Sequence, residues 1–346
     1  MSRRVLSARD LNRAVLARQG LLERTRTPLP RMLERMGALQ AQYAPAMYLG
    51  LWSRLDGFER PALTRALSRG TVVQATLMRS TIHLVSRADY WPLAIATAPA
   101  RHRHYERVPA LALPDGELEP AMAALSAALE SGPLSRREVE ALIGKLAARA
   151  ANTFLHLVRT PPSGTWEHRA ADRWALASAW LGEPQSIATA DAVVALVRRY
   201  LTGFGPATRQ EVANWCGMRV GDVTAALDAL ELRRFEAEDG AELLDLPRLP
   251  LPDAATPVPV RLLPTWDATL LTHARRAGIL REEHRERIFS SRNPHSHPTF
   301  LVDGTVAGTW RIGDGGRVTV DAWSPLDPAA QRELEREVAA LERWLG

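Results

Sequence analysis

One pattern recurs three times along this 346-residue chain: a hydroxyl residue three positions ahead of an acid, followed by an amphipathic helical period. The pairs are Ser7/Asp10 in LSARDLNRAVL, Ser135/Glu138 in PLSRREVEALI and Thr208/Glu211 in ATRQEVANWCG. Each matches a capping box, in which hydroxyl and carboxylate satisfy N–H groups that the first helical turn leaves unpaired. Asp10 is the less usual acid at its position. A repeat at this scale points to tandem copies of one unit.

The third copy is the clearest. A helix over 208–216 stops at Gly217, and a second over 219–231 places Val220, Val223, Ala226, Leu227 and Leu230 on one face. Two short strands follow, LRRFEAE and AELLDL, turning at Asp239-Gly240. Helix, turn, helix and hairpin is the order of a winged helix-turn-helix. The second copy reads as helices near 135–145 and 148–159, with a wing around PPSGTWEHRAADRWAL. The first reads as helices at 7–19, 29–39 and 46–55 before strands near 71–78 and 81–85. Proline-rich stretches at 106–120 and 247–264 are expected to be linkers or extended passes. Beyond them, a hairpin turning at Asp303-Gly304, a third strand and a helix over 326–345 suggest a small sheet module. The expected class is therefore α+β and mainly helical: three tandem winged helix-turn-helix units with a small C-terminal β-sheet module. Its expected divisions are 1–105, 106–200, 201–250 and 251–346.

Composition narrows the function. Hydrophobic residues make up 46% and charged residues 24%, a soluble balance. No run of eighteen apolar residues is present, and the first residues read as an amphipathic helix. A cytoplasmic protein without membrane contact is expected. Cys216 is the sole cysteine, which excludes an intrachain disulfide and cysteine-rich zinc sites; its apolar context reads as a core thiol. The net charge of +5 suits a polyanionic partner. Among 44 lysines and arginines only Lys145 is lysine. Amines form Schiff bases and guanidinium groups do not, so a side-chain amine lyase has one candidate, and it lacks a neighbouring acid or base. There is no GxSxG, no HExxH and no phosphate-binding glycine loop. His295 and His297 lie two apart without a nearby carboxylate or thiol, which favours a polar loop facing a phosphate backbone over a metal site. No cofactor or metal is expected.

The unusual feature is Gln40-Ala41-Gln42 in MLERMGALQAQYAPAMYLG. Met32, Leu33, Met36 and Leu39 keep helical spacing, while Gly37 and Pro45 place 40–44 in a turn between two helices. In an extended segment residues two apart share a side, and two amides there can hold a water through donors and acceptors together. The plainer reading leaves both as solvent-facing glutamines at a helix end.

Several stretches carry a resemblance: LQAQYAP, MRSTIHLVSRADYW, GFGPATRQEVANW and LLPTWDATLLTH with FLVDGTVAGTWRI. In this order, over roughly 5–345, the chain resembles the AlkZ/YcaQ family of bacterial DNA glycosylases. The family motif is Gln-apolar-Gln in one branch and Gln-apolar-Asp in the other; Gln40-Ala41-Gln42 resembles the first, AlkZ-like branch. The resemblance implies three winged-helix units around a central DNA channel, with Gln40 and Gln42 positioning water at the anomeric carbon. It also implies removal of alkylated bases and unhooking of crosslinks, and a link to self-resistance in producers of DNA-damaging natural products. A cationic alkylpurine is already a good leaving group, so holding water and stabilising an oxocarbenium-like transition state can suffice. With the scarcity of lysine, a monofunctional glycosylase leaving an abasic site is expected. A non-catalytic winged-helix regulator is the alternative.

Other residues carry paired readings. On the strand at 79–85, Thr81 and His83 share a face and can line the channel, as can Tyr43; a structural histidine is the other reading of His83. Arg54 and Arg79 either meet phosphates or pair with carboxylates. Arg101 and Arg103, in the run Arg101-His102-Arg103-His104-Tyr105, either contact the DNA backbone or form a solvated charge run. Arg292 and His295 precede the C-terminal hairpin and can approach DNA there. Trp310 reads as core rather than a stacking platform. The expected partner is double-stranded DNA with alkylated bases, for which a monomer suffices.

Overall fold

All three hydroxyl–acid pairs close capping boxes in the computed structural model, which describes residues 3–271, 278–289 and 296–346. The Ser7 hydroxyl accepts from the Asp10 N–H at 3.1 Å, and the Ser7 N–H donates to the Asp10 carboxylate at 2.9 Å. Ser135/Glu138 and Thr208/Glu211 make the same exchange. Such caps contribute about 1 kcal/mol each and set the first residue of each helix.

From the N-terminus come β1 (Val5–Leu6), α1 (Ala8–Arg18), α2 (Leu29–Met36), β2 (Leu39–Gln40), α3 (Ala44–Trp52), α4 (Arg60–Ser68), β3 (Val72–Thr76), β4 (Ile82–Ser86) and α5 (Arg87–Glu106). The middle of the chain forms α6 (Leu118–Glu130), β5 (Leu134–Ser135), α7 (Arg136–Phe154), β6 (Leu157–Arg159), β7 (Arg173–Leu176) and α8 (Ala177–Leu181). Next are α9 (Thr189–Phe204), α10 (Arg209–Cys216), α11 (Val220–Asp228), β8 (Arg233–Ala237) and β9 (Glu242–Asp245). The C-terminal part holds β10 (Arg261–Leu263), α12 (Ala268–Leu271), α13 (Arg285–Ile288), β11 (Thr299–Val302), β12 (Thr305–Ile312), β13 (Val318–Ala322) and α14 (Pro328–Leu345). The architecture is α+β and mainly helical.

The third repeat keeps the order helix, turn, helix, hairpin, with Gly217 left-handed at φ 70 after α10 and Gly240 at φ 83 in the hairpin. In the second, Gly144 at φ 79 and ψ 157 breaks α7 into two helices. The second of these stops at Phe154 rather than 159, because 157–159 is claimed by sheet pairing. Helices α4, α5, α9 and most of α6 were not marked by the sequence pattern. In α5 the internal Pro92 and Pro99 mimic breakers, and α6 begins inside the stretch expected to be a linker. Likewise β10 arises inside 247–264 and adds a fourth strand to the C-terminal sheet.

Sheet pairing ties the expected units together. A six-stranded antiparallel sheet runs β2-β4-β3-β6-β7-β5, so strands from before and after residue 106 share one ladder. β1 pairs in parallel with β8, placing the N-terminus on the third repeat's hairpin. β10–β13 form a four-stranded sheet, which α14 covers while the Trp344 indole N–H donates to the Phe58 carbonyl at 2.7 Å.

Beneath these layers lies a buried polar hub. The Gln19 amide donates to the carbonyls of Met36 (3.0 Å) and Gly203 (2.9 Å), joining the ends of α2 and α9. The Gln19 carbonyl accepts from Arg54 Nε at 2.9 Å, and Arg54 forms a two-pronged ion pair with Asp267 at 2.8 Å, both side chains fully buried. Burial pushes the Asp267 carboxyl up, but the charge and hydrogen bonds of Arg54, with those of Thr269, hold it below its ordinary value. Glycines permit the close approach: a Cβ on Gly203 would lie 2.3 Å from the Met36 carbonyl oxygen.

Removing one partner of such a pair strands a buried charge. Asp267→Ala should therefore lose about 3–5 kcal/mol in urea unfolding, and Arg54→Met/Asp267→Leu should regain most of it. A double variant as unstable as the single one would refute this account. Gly203→Ala should lose about 2 kcal/mol or more by wedging α2 from α9. Gly221→Ala, in helix α11 with nothing within 4 Å of its Cβ, should be neutral or stabilising by about 0.5–1 kcal/mol.

Candidate active site

The Gln40-Ala41-Gln42 segment is a strand end rather than a turn between helices. Ala38, at φ 104, reverses the chain after α2, and Gln40 enters β2 directly opposite His83 on β4. The Ala41 N–H donates to the Ile82 carbonyl at 2.7 Å. The ladder then continues through a side chain, since the Ile82 N–H donates to Gln42 Oε1 at 3.0 Å. That hydrogen bond assigns the orientation of the Gln42 amide, leaving one oxygen lone pair and both N–H groups without a partner among the described residues. Gln42 is exposed, Gln40 half-buried and Ala41 buried, with the Ala41 carbonyl accepting from Gln74 Nε2 at 3.3 Å.

Directly opposed residues of an antiparallel pair share a face, so Gln40 and His83 lie side by side. They line a narrow cleft with Arg79, Ala38, Trp215, Ala268 and Leu271. His83 Nδ1 lies 3.0 Å from the Thr81 carbonyl, which can only accept; the proton therefore sits on Nδ1 and Nε2 is an acceptor. Burial, then the Arg79 charge, pushes the His83 pKa down to about 3, keeping the ring neutral. Arg79 is held with unusual backbone geometry: it and Ser80 are both left-handed, at φ 52 and 57. Its guanidinium donates to the Trp215 carbonyl, and left-handed Gly217 makes room for it, since a Cβ there would lie 3.1 Å from Arg79 Cγ. Burial lowers the Arg79 pKa, and among the described residues no carboxylate pairs with it. The cleft therefore combines an amide, a neutral imidazole acceptor and an uncompensated cation. Such a set can orient water and attract an anion, but no group in it is a strong base at neutral pH.

Other expected site residues fall elsewhere. Arg54 is fully buried, with four of its five N–H groups bonded in the hub and no surface for a phosphate to reach. Arg101 is 4% exposed, donates to the Thr97 hydroxyl at 2.6 Å, and has its pKa lowered to about 10 by burial, so it too lacks the access a backbone contact needs. Arg103 is half-buried and paired with Asp222 at 3.1 Å. Neighbouring His102 stacks on Phe154, so this run helps pack α5 onto α7. Thr81 is half-buried, its hydroxyl donating to the Met78 carbonyl at 3.0 Å. The Tyr43 hydroxyl accepts from Arg169 at 3.2 Å. Arg292 and His295 lie outside the described residues. Trp310 is core, its indole N–H shared between two carbonyls, and Cys216 is a fully buried thiol that burial pushes up. Lys145 is exposed on α7 and does not line the cleft. Sequence reasoning missed Gln74, Arg169 and the Gly217–Arg79 contact; the glycine closing a capping-box helix was the available signal for the last.

The neutral imidazole has a thermodynamic signature. The unfolded chain protonates this histidine near its ordinary 6.5, the folded chain only near 3. The unfolded state thus binds the extra proton between those values, and stability falls as pH falls through that window. His83→Gln should flatten the pH dependence of unfolding free energy between pH 6 and 4 by up to about 1.4 kcal/mol per pH unit. Parallel curves for variant and wild type would show that His83 is not buried neutral.

Comparison with known proteins matches this geometry to a family. No curated protein sequence matches the chain. The solved structure of the Streptomyces sahachiroi DNA glycosylase AlkZ is similar over 98% of this chain and 97% of that one, with a TM-score of 0.83 at 19% sequence identity, a likeness of fold. The family model described as DNA glycosylase AlkZ-like matches residues 33–344, which include the cleft and nearly every element of the fold. The chain belongs to the AlkZ-like DNA glycosylase family.

Proposed function

We propose that the protein is a monofunctional DNA glycosylase that hydrolyses the N-glycosidic bond of alkylated purines and leaves an abasic site. The observation that carries this reading is the Gln42 amide held by the Ile82 N–H of β4, two residues from Gln40, which itself lines the cleft with neutral His83 and with Arg79. Gln42 offers a fixed oxygen and two N–H donors to a water, and Gln40 a second amide. Neither can accept a proton, so their part is to place water and stabilise oxocarbenium charge through their oxygens. That chemistry suits substrates whose base already departs readily, of the cationic N7-alkylguanine or N3-alkyladenine type, including bulky adducts and interstrand crosslinks. Arg79 would hold a phosphate of the damaged strand and His83 would form a wall of the cleft, its ring oriented by the Thr81 carbonyl, while Tyr43 would flank the glutamine pair from outside the cleft. The winged-helix reading of the three repeats, divided at 105, 200 and 250, supports a channel for double-stranded DNA entered by a monomer. A cytoplasmic location is the reading of the composition, and a part in resistance to a DNA-alkylating natural product is that of the resemblance. No helix among the described residues is long and apolar enough to cross a membrane.

The test is base release from duplexes carrying N7-methylguanine, a bulky adduct or a crosslink, revealed by alkaline cleavage. Gln40→Ala and Gln42→Ala should each slow single-turnover release about 10²-fold while retaining DNA affinity. Tight binding to one operator sequence with no release from any adduct would overturn the enzyme reading in favour of a regulator. A covalent complex trapped by borohydride would overturn the monofunctional assignment.

A further inference from the structure

The loop joining β6 to β7 is built more firmly than its exposure requires. The Ser163 hydroxyl accepts the N–H groups of Asp172 (2.7 Å) and Arg173 (3.1 Å) and donates to the Ala170 carbonyl at 2.7 Å. A backbone bond from the Gly164 N–H to the same carbonyl (2.8 Å) and another from the Thr165 N–H to the His168 carbonyl (3.1 Å) close the tip. Trp166 anchors the loop edge-on to Tyr48 and Trp344, with ring centres 5.6 and 5.5 Å apart.

This loop also touches the Gln-Ala-Gln segment from two directions. Left-handed Gly164 lies against Gln74, where a Cβ would meet the amide oxygen at 2.2 Å, and Gln74 in turn donates to the Ala41 carbonyl. At the tip, exposed Arg169 donates to the Tyr43 hydroxyl at 3.2 Å, one residue beyond Gln42. A phenol is neutral, so that bond orients the guanidinium without compensating its charge. No carboxylate among the described residues pairs with Arg169, in contrast to buried Arg54 and half-buried Arg103. An exposed arginine ordinarily spends rotamer entropy on contacting a phosphate; here tether and loop have already restricted it, and among the described residues most of its donors have no partner.

We infer that Arg169 contacts a backbone phosphate of double-stranded DNA beside the base that is removed, oriented by Tyr43 on a preformed loop. The inference rests on the glycosylase reading only for where on the DNA the contact falls. Phosphate contacts fix register without reading sequence, so the effect should be uniform across sequences.

The experiment measures duplex binding by fluorescence anisotropy at several salt concentrations, with an N7-methylguanine duplex and its undamaged counterpart, alongside thermal unfolding. Arg169→Ala should raise Kd about 10-fold on both duplexes and reduce the slope of log K against log salt by about 1, with Tm unchanged. Arg169→Lys should keep the slope while losing part of the affinity. Tyr43→Phe should weaken binding with the slope kept, because the charge remains. Wild-type affinity and slope in Arg169→Ala would overturn the inference. Should the wild-type protein bind DNA yet release no base from any adduct, the glycosylase reading fails alone, since the salt slope still reports the phosphate contact.

Discussion

The Arg54–Asp267 pair and the Gln19 amide beside it are the constraint around which the rest of the protein is arranged. A buried ion pair contributes little net stability, because desolvating two charges offsets most of their attraction. Its consequence is geometric: with both partners fully buried, each must point where the other is. Arg54 thereby holds the end of α3 against the segment that supplies Ala268 and Leu271 to the cleft wall. Gln19 holds the end of α2 against α9, and β2 with Gln40 follows within a few residues of that joint. Position at the candidate site is thus determined from a network that never reaches the solvent.

The arginines divide by their partners. Those with carboxylates, such as Arg54 and Arg18, which pairs with Asp245 at 2.7 Å, fasten elements together. Arg79 and Arg169 instead donate to neutral oxygens, Arg79 in the cleft that Gln40 lines and Arg169 on Tyr43, the residue after Gln42. Net charge of +5 says little about this distinction; which cations are neutralised decides the local field. Burial, and after it the Arg79 charge, keeps His83 neutral, leaving glutamine amides and an imidazole lone pair beside the arginine for any bound water.

Much of the local structure was legible in the letters. Hydroxyl and acid three apart specify a helix start because the interaction is confined to one turn, and all three such starts form. Asp239-Gly240 and Asp303-Gly304 announced hairpins because left-handed turn geometry selects these residue types. The glutamine pair was conspicuous, but its surroundings were not. Gln40 faces His83 only because β2 pairs with β4, and Gln42 is fixed only because it completes that ladder. The longest unmarked helix, α5, carries two prolines that local rules read as stops; packing against α9 and β4 overrides them.

By itself the sequence determined which short segments become capped helices and tight hairpins, where the one lysine and one cysteine fall, and which residues offer amide chemistry. Tertiary structure alone decided which arginines are buried and which stay charged toward solvent, and that strands on both sides of residue 106 join one sheet. It also decided that a loop more than a hundred residues away braces Gln42's neighbours. The reason is range. Caps and turns are settled by atoms within a few bonds of one another, whereas burial, charge compensation and strand register depend on partners that only the closed fold brings within reach.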